Sequence, residues 1–174
     1  YLMVPVVVAT VIAADSFAGE RERGTLEVLL TAPVTDTELF VAKLLGAFLP
    51  ALATGLGGAV VYGTVANLTT GEPLFPNLLW VGLALWLGPG IAAAGLGVVV
   101  LVSSRVRGFQ EANQLGGLDV LPVVGLVVAQ GAGLLFLSPV LVVVLGLGSW
   151  AVAAAVVVVG ARTFTRPALA SRLR

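Results

Sequence analysis

Charged residues interrupt this chain only at wide intervals, and the stretches between them are apolar almost throughout. A helix rises about 1.5 Å per residue and the hydrocarbon core of a bilayer is about 30 Å thick, so roughly 20 uncharged residues make one crossing. The first uncharged run ends at Asp15; the others lie between Lys43 and Glu72, between Glu72 and Arg105, and between Asp119 and Arg162. The run from Tyr1 to Ala14 gives about 21 Å of helix, short of a full crossing, and reads as the inner end of a helix that begins before Tyr1.

Leu44 to Ala66 predicts a second crossing, bent at Pro50 because the ring removes one backbone hydrogen bond. Asn67 to Pro76 reads as a loop, and residues 78–102 as a third crossing, kinked or locally unwound at Gly88-Pro89-Gly90. Residues 120–161 would extend about 63 Å as one helix, twice the membrane core, so the run must fold back. Ser138-Pro139 is the predicted turn, since serine caps a helix and proline suits its first position. Spans of about 120–137 and 140–161 follow. The expected fold class is all-α, a polytopic transmembrane helix bundle forming a single domain over residues 1–174.

Composition strengthens this reading. The chain is 59% apolar and only 10% charged, against about 25% charged residues in a soluble domain. Lipid must therefore solvate much of the surface. The formal net charge is zero, which offers nucleic acid no attractive field. Cysteine and histidine are both absent, which excludes Cys/His zinc centres and His-dependent triads, and no resident cofactor or metal is expected. All nine basic residues fall on one side of an alternating path. Arg21, Arg23 and Lys43 flank the first connection, Arg105 and Arg107 the third, and Arg162, Arg166, Arg172 and Arg174 the tail. The positive-inside rule makes that side, with the C-terminus, cytoplasmic. The preference for Arg, Ala, Val, Gly and Leu fits a GC-rich prokaryotic genome and its cell membrane.

The segment from Asp15 to Glu38 is too long for a simple turn. Glu20 with Arg23, and Arg23 with Glu27, are spaced to pair on one helical face, while Leu26, Leu29 and Leu30 gather on another. This predicts an amphipathic helix over about 16–31, lying on the membrane surface and stopped by Pro33. Thr35 and Glu38 form a capping box that starts the next membrane helix.

The stretch Ser16-Phe-Ala-Gly-Glu-Arg-Glu-Arg-Gly-Thr-Leu-Glu-Val-Leu-Leu-Thr-Ala-Pro-Val-Thr35, followed by Glu38 and Lys43-Leu-Leu-Gly46, closely resembles the permeases of the type-2 ABC exporter family. Residues 103–117, Ser-Ser-Arg-Val-Arg-Gly-Phe-Gln-Glu-Ala-Asn-Gln-Leu-Gly-Gly, look like the next cytoplasmic loop of its sodium- and drug-exporter-like branch. The family normally carries a first helix and a large external segment before the point where this chain begins. The resemblance implies that the amphipathic segment is a coupling helix docking on a cytoplasmic ABC ATPase subunit, with two permease copies or homologues per transporter. Carried over residue by residue, Glu20, Arg21, Glu22, Arg23, Gly24, Thr25 and Glu27 would face the ATPase. ATP and Mg would bind that partner. The chain itself has no phosphate-binding loop, since its single lysine, Lys43, follows no suitable glycine run, and it is not expected to be an enzyme.

Two polar residues stand apart. Asp119, at the start of the predicted fourth span, reads as a helix cap or as part of an ion or substrate path. Gln130, predicted about halfway through that span, reads as a helix-packing residue or as part of the same path. An ion-coupled secondary transporter built on these two residues is the alternative to an ATP-driven exporter. Trp150, predicted in the middle of the last span, has no evident role in the sequence.

Overall fold

A computed structural model describes residues 2–25, 33–73, 75–106, 109–133 and 136–163. Its described residues form helices and no strand. Helix α1 runs Met3–Ala14, continues through a π turn, Asp15–Gly19, and closes with Glu20–Glu22. Helix α2 is Asp36–Thr70, α3 is Leu78–Ser103 with a π turn at Leu83–Leu87, α4 is Phe109–Gly131 with a 3-10 turn at Gly117–Asp119, and α5 is Pro139–Thr163. Helices α2 to α5 are long and apolar enough to cross a membrane, and α1 is a shorter apolar helix. The chain is an all-α polytopic membrane bundle.

Local chemistry sets the helix ends. Thr35 and Glu38 close a reciprocal capping box: the Glu38 N–H donates to the Thr35 hydroxyl at 3.2 Å and the Thr35 N–H donates to the Glu38 carboxylate at 2.7 Å. Gly71, at φ +70°, ends α2 in the left-handed conformation that glycine adopts without steric cost. The Asn77 side chain caps α3 by accepting from the Trp80 N–H at 2.8 Å. Ser138 accepts from the Leu141 N–H at 3.2 Å, and Pro139 is the first residue of α5.

Several boundaries differ from those the uncharged runs imply. Helix α1 does not stop at Ala14 with a separate surface helix starting at residue 16; it continues to Glu22, because nothing in Asp15 to Glu22 breaks a helix. Residues 26–32, which carry the remainder of the expected amphipathic helix, lie outside the described residues. Helix α2 reaches Thr70 and passes through Pro50 without interruption. Asn67 is thus helical, and both atoms of its side-chain amide are engaged with the Phe75 backbone, at 2.6 and 2.9 Å. The distortion expected at Gly88-Pro89-Gly90 takes the form of the π turn just before it. Pro89 has no N–H for the Leu85 carbonyl, and a wider turn makes room for its ring. Helix α4 begins at Phe109 rather than Val120 and ends at Gly131 rather than residue 137, with Gly133 at φ +70° turning the chain.

Helix α3 holds the bundle together. At one end, Ala13, Ala14 and Phe17 of α1, Phe40 and Leu44 of α2, and Leu96, Val99 and Val100 of α3 form the larger core. At the other, Leu2 just before α1, Val6 of α1, Leu83 and Leu87 of α3, Val123 of α4 and Val142 of α5 form the smaller one. Helices α3 and α5 lie parallel and close, with Val142 against Gly82 and Val156 against Gly97. A methyl group on Gly97 would stand 3.0 Å from Val156, so the small residue sets the approach. The outside of the bundle exposes Leu and Val on α2, α4 and α5, such as Val60, Val61, Leu121, Val128, Val144 and Val158. The described part of the α1–α2 connection carries charged residues, Arg105 follows α3, and Glu72 lies in the α2–α3 connection.

Candidate functional site

The charged end is built around the elbow that leaves α1. Its first part is the π turn, held from outside by α3: the Ser103 hydroxyl accepts from the Phe17 and Ala18 N–H groups at 3.2 and 3.0 Å and donates to the Ala14 carbonyl at 2.8 Å. Gly19 lets the Asp15 side chain cross its surface, since an added Cβ would sit 1.8 Å from Asp15 Oδ1. That crossing brings Asp15 to Arg23 in a two-pronged ion pair, with N–O distances of 2.9 and 2.8 Å. The hydrogen-bonded, negatively charged Asp15 holds the Arg23 guanidinium above its ordinary pKa.

The second part is a tight helix end. Gly24 has φ +71°, the Arg23 N–H donates to the Gly19 carbonyl at 3.0 Å, and the Thr25 N–H donates to the Glu20 carbonyl at 3.0 Å. This six-to-one closure around a left-handed glycine satisfies carbonyls the helix would otherwise leave open. Gly24 and Thr25 are exposed at its tip.

The third part ties the elbow to other helices. Glu20 is turned inward to an ion pair with Lys43 of α2, and the Lys43 ammonium stands 5.5 Å from the centre of the buried Phe17 ring. Glu22 Oε1 accepts from the Phe109 N–H at 2.8 Å, placing a carboxylate on the N-terminus of α4 where the helix dipole favours it.

The residues expected to face a partner therefore divide. Glu20, Glu22 and Arg23 bind the chain's own Lys43, Phe109 backbone and Asp15, and so fix the elbow's shape. Arg21 lies on the last helical turn, Gly24 and Thr25 form the exposed tip, and Glu27 lies outside the described residues. Ser103, Lys43 and Asp15 were not singled out by the sequence as parts of this site. In the sequence Ser103 only opens the family-like stretch 103–117, a hydroxyl at the close of a long apolar run.

Asp119 and Gln130 do not converge. Asp119 lies in the 3-10 turn inside α4, not at a helix start, because α4 already begins at Phe109. Gln130 is exposed in the last turn of α4, not halfway along a span. Eleven residues of helix separate the two by about 16 Å. Among the described residues no group of three or more Asp or Glu side chains could hold a metal.

No curated protein and no solved structure matches the chain. The family model described as ABC-2 family transporter protein matches residues 1–165, a range that takes in all five helices and the elbow between α1 and α2. With that match over nearly its whole length, the chain belongs to the ABC-2 transporter family and is a membrane permease component of an ABC transporter.

Proposed function

We propose that the chain is the permease of an ATP-driven exporter of the sodium- and drug-exporter-like branch, set in a prokaryotic cell membrane with its charged end and C-terminus in the cytoplasm. Two permease subunits would assemble with two ATPase subunits, which carry ATP and Mg. The elbow would be the docking element. The observation that carries this reading is that Glu20 and Glu22 anchor the elbow to Lys43 of α2 and the Phe109 N–H of α4, and the Asp15–Arg23 ion pair braces it internally, while the Gly24-Thr25 tip stays exposed. A loop that only joined two spans would not need such bracing. A rigid lever does, since motion of a docked subunit reaches the membrane helices only through contacts that do not yield. The exposed tip, rather than Glu20, then carries the partner surface.

The test is co-purification with the ATPase subunit. Reversing Glu22 and Arg23 (E22R/R23E) removes the bonds to Phe109 and Asp15, and ATPase recovery should fall steeply, whereas E72R at the opposite end should leave it intact. Equal recovery for both variants would contradict the coupling role.

A further inference from the structure

We propose that Ser103 is a positioning residue, whose hydroxyl holds the end of α1 in the π register and so determines how the elbow is presented. The inference rests on the coupling reading for its functional consequence, but its structural part stands alone.

A hydroxyl has one proton and two lone pairs. Those of Ser103 are all used, on the Ala14 carbonyl and the Phe17 and Ala18 N–H groups, and the side chain is 0% exposed. The Ala14 carbonyl and Ala18 N–H are the two groups that would form one rung of an uninterrupted α-helix. Ser103 bridges them from a neighbouring helix, which is a direct cause of a local π turn. Its partners belong to the backbone, so substitutions at 14, 17 or 18 that keep the helix leave the bridge in place. Three attachment points on one turn fix its rotation as well as its position.

The rotation matters for every contact downstream. Closing the π turn to an α turn would rotate all that follows by about 100°, the step of one residue in an α-helix. Glu20 would then leave Lys43, Glu22 would leave Phe109 and Arg23 would leave Asp15. A single hydroxyl on α3 thus selects between two registers of the elbow, and it joins the elbow to the helix that runs through both cores.

Lys43 is the chain's single lysine, which gives the register a clean readout. A carbodiimide joins a carboxylate and an amine as an amide with loss of water, so in the assembled transporter a zero-length crosslink between Glu20 and Lys43 reports the π register. Ser103→Ala should reduce that crosslink several-fold and abolish the permease's effect on ATP hydrolysis by its bound ATPase, while Ser103→Thr, which keeps the hydroxyl, restores both. If Ser103→Ala fails to assemble, Ser103→Cys decides, with a crosslink yield between wild type and background. A wild-type yield in Ser103→Ala or Ser103→Cys would overturn the proposal. Crosslinking that depends on the hydroxyl without any response of the ATPase would instead uphold the register and sink the coupling reading.

Discussion

Trp86 and Trp150 each lay an indole on a glycine of the other's helix: Trp86 covers Gly146, and Trp150 covers Gly90. The Trp150 Nε1–H also donates to the Trp86 carbonyl at 3.2 Å, and the two ring centres are 6.1 Å apart. Trp150 therefore fastens α5 to α3 at the π turn Leu83–Leu87 and at Gly90 beyond it. An indole N–H within lipid needs an acceptor, and the carbonyl supplies it.

The two glycines should respond unequally to a methyl group. A Cβ on Gly146 would fall 2.0 Å from Trp86 Nε1, and one on Gly90 would fall 3.0 Å from Trp150 Nε1. Overpacking of this kind costs about 1–3 kcal/mol, so Gly146→Ala should lower thermal stability in detergent clearly, and Gly90→Ala by less. Equal, negligible shifts would show that the helices do not meet in this register.

Gly19 and Asp15 should behave as a coupled pair. Gly19→Ala drives the Asp15 carboxylate off its path to Arg23, so it should destabilise the elbow about as much as Asp15→Ala does. In the Asp15→Ala background the same methyl group meets no carboxylate, and the second substitution should add little. A double-mutant cycle on thermal stability measures the coupling, and simple additivity would contradict the geometry.

Glu38 should titrate below the ordinary glutamate range. The Thr35 backbone N–H lowers its pKa most, followed by the Thr35 hydroxyl. Because the folded pKa is depressed, the capping contribution is fully present above the unfolded value and disappears as pH falls through the folded one. The effect is confined to the acid range. Carboxyl-selective NMR should find a low midpoint, raised only partly by Thr35→Ala, because the backbone donor persists; an ordinary midpoint in the wild type would refute the box.

Asn67 should hold the α2–α3 connection. Its amide both donates to the Phe75 carbonyl and accepts from the Phe75 N–H, beside the ring contacts of Tyr62, Phe75 and Trp80. Asn67→Ala leaves both half-buried backbone groups without these bonds, a loss of about 0.5–1.5 kcal/mol for each. Hydrogen exchange at Phe75 should accelerate, with that at Leu96 unchanged. Protection at Phe75 equal to wild type would contradict the clamp.

The helical membrane fold was legible because lipid imposes long apolar runs, and the caps at Thr35 and Ser138 because they depend on neighbours in sequence. The end of α1 was not. Counting uncharged residues marks where a helix meets charge, not where it ends, so the continuation through Asp15 to Glu22 and the start of α4 at Phe109 were hidden. The π turn depends on Ser103, and Glu22 on Phe109, both more than 80 residues distant along the chain. The spacing of Glu20, Arg23 and Glu27 indicated pairing within one helix, whereas Glu20 pairs with Lys43 across helices and Arg23 with Asp15 across the π turn.

The exposed tip of the elbow offers the most direct measurement. A photo-crosslinking amino acid at Thr25 in the assembled transporter, with one at the exposed Leu68 of the opposite end as control, should capture the ATPase subunit from position 25 and not from position 68. Capture from neither position, or labelling of position 25 by a membrane-impermeant reagent applied outside intact cells, would contradict the account.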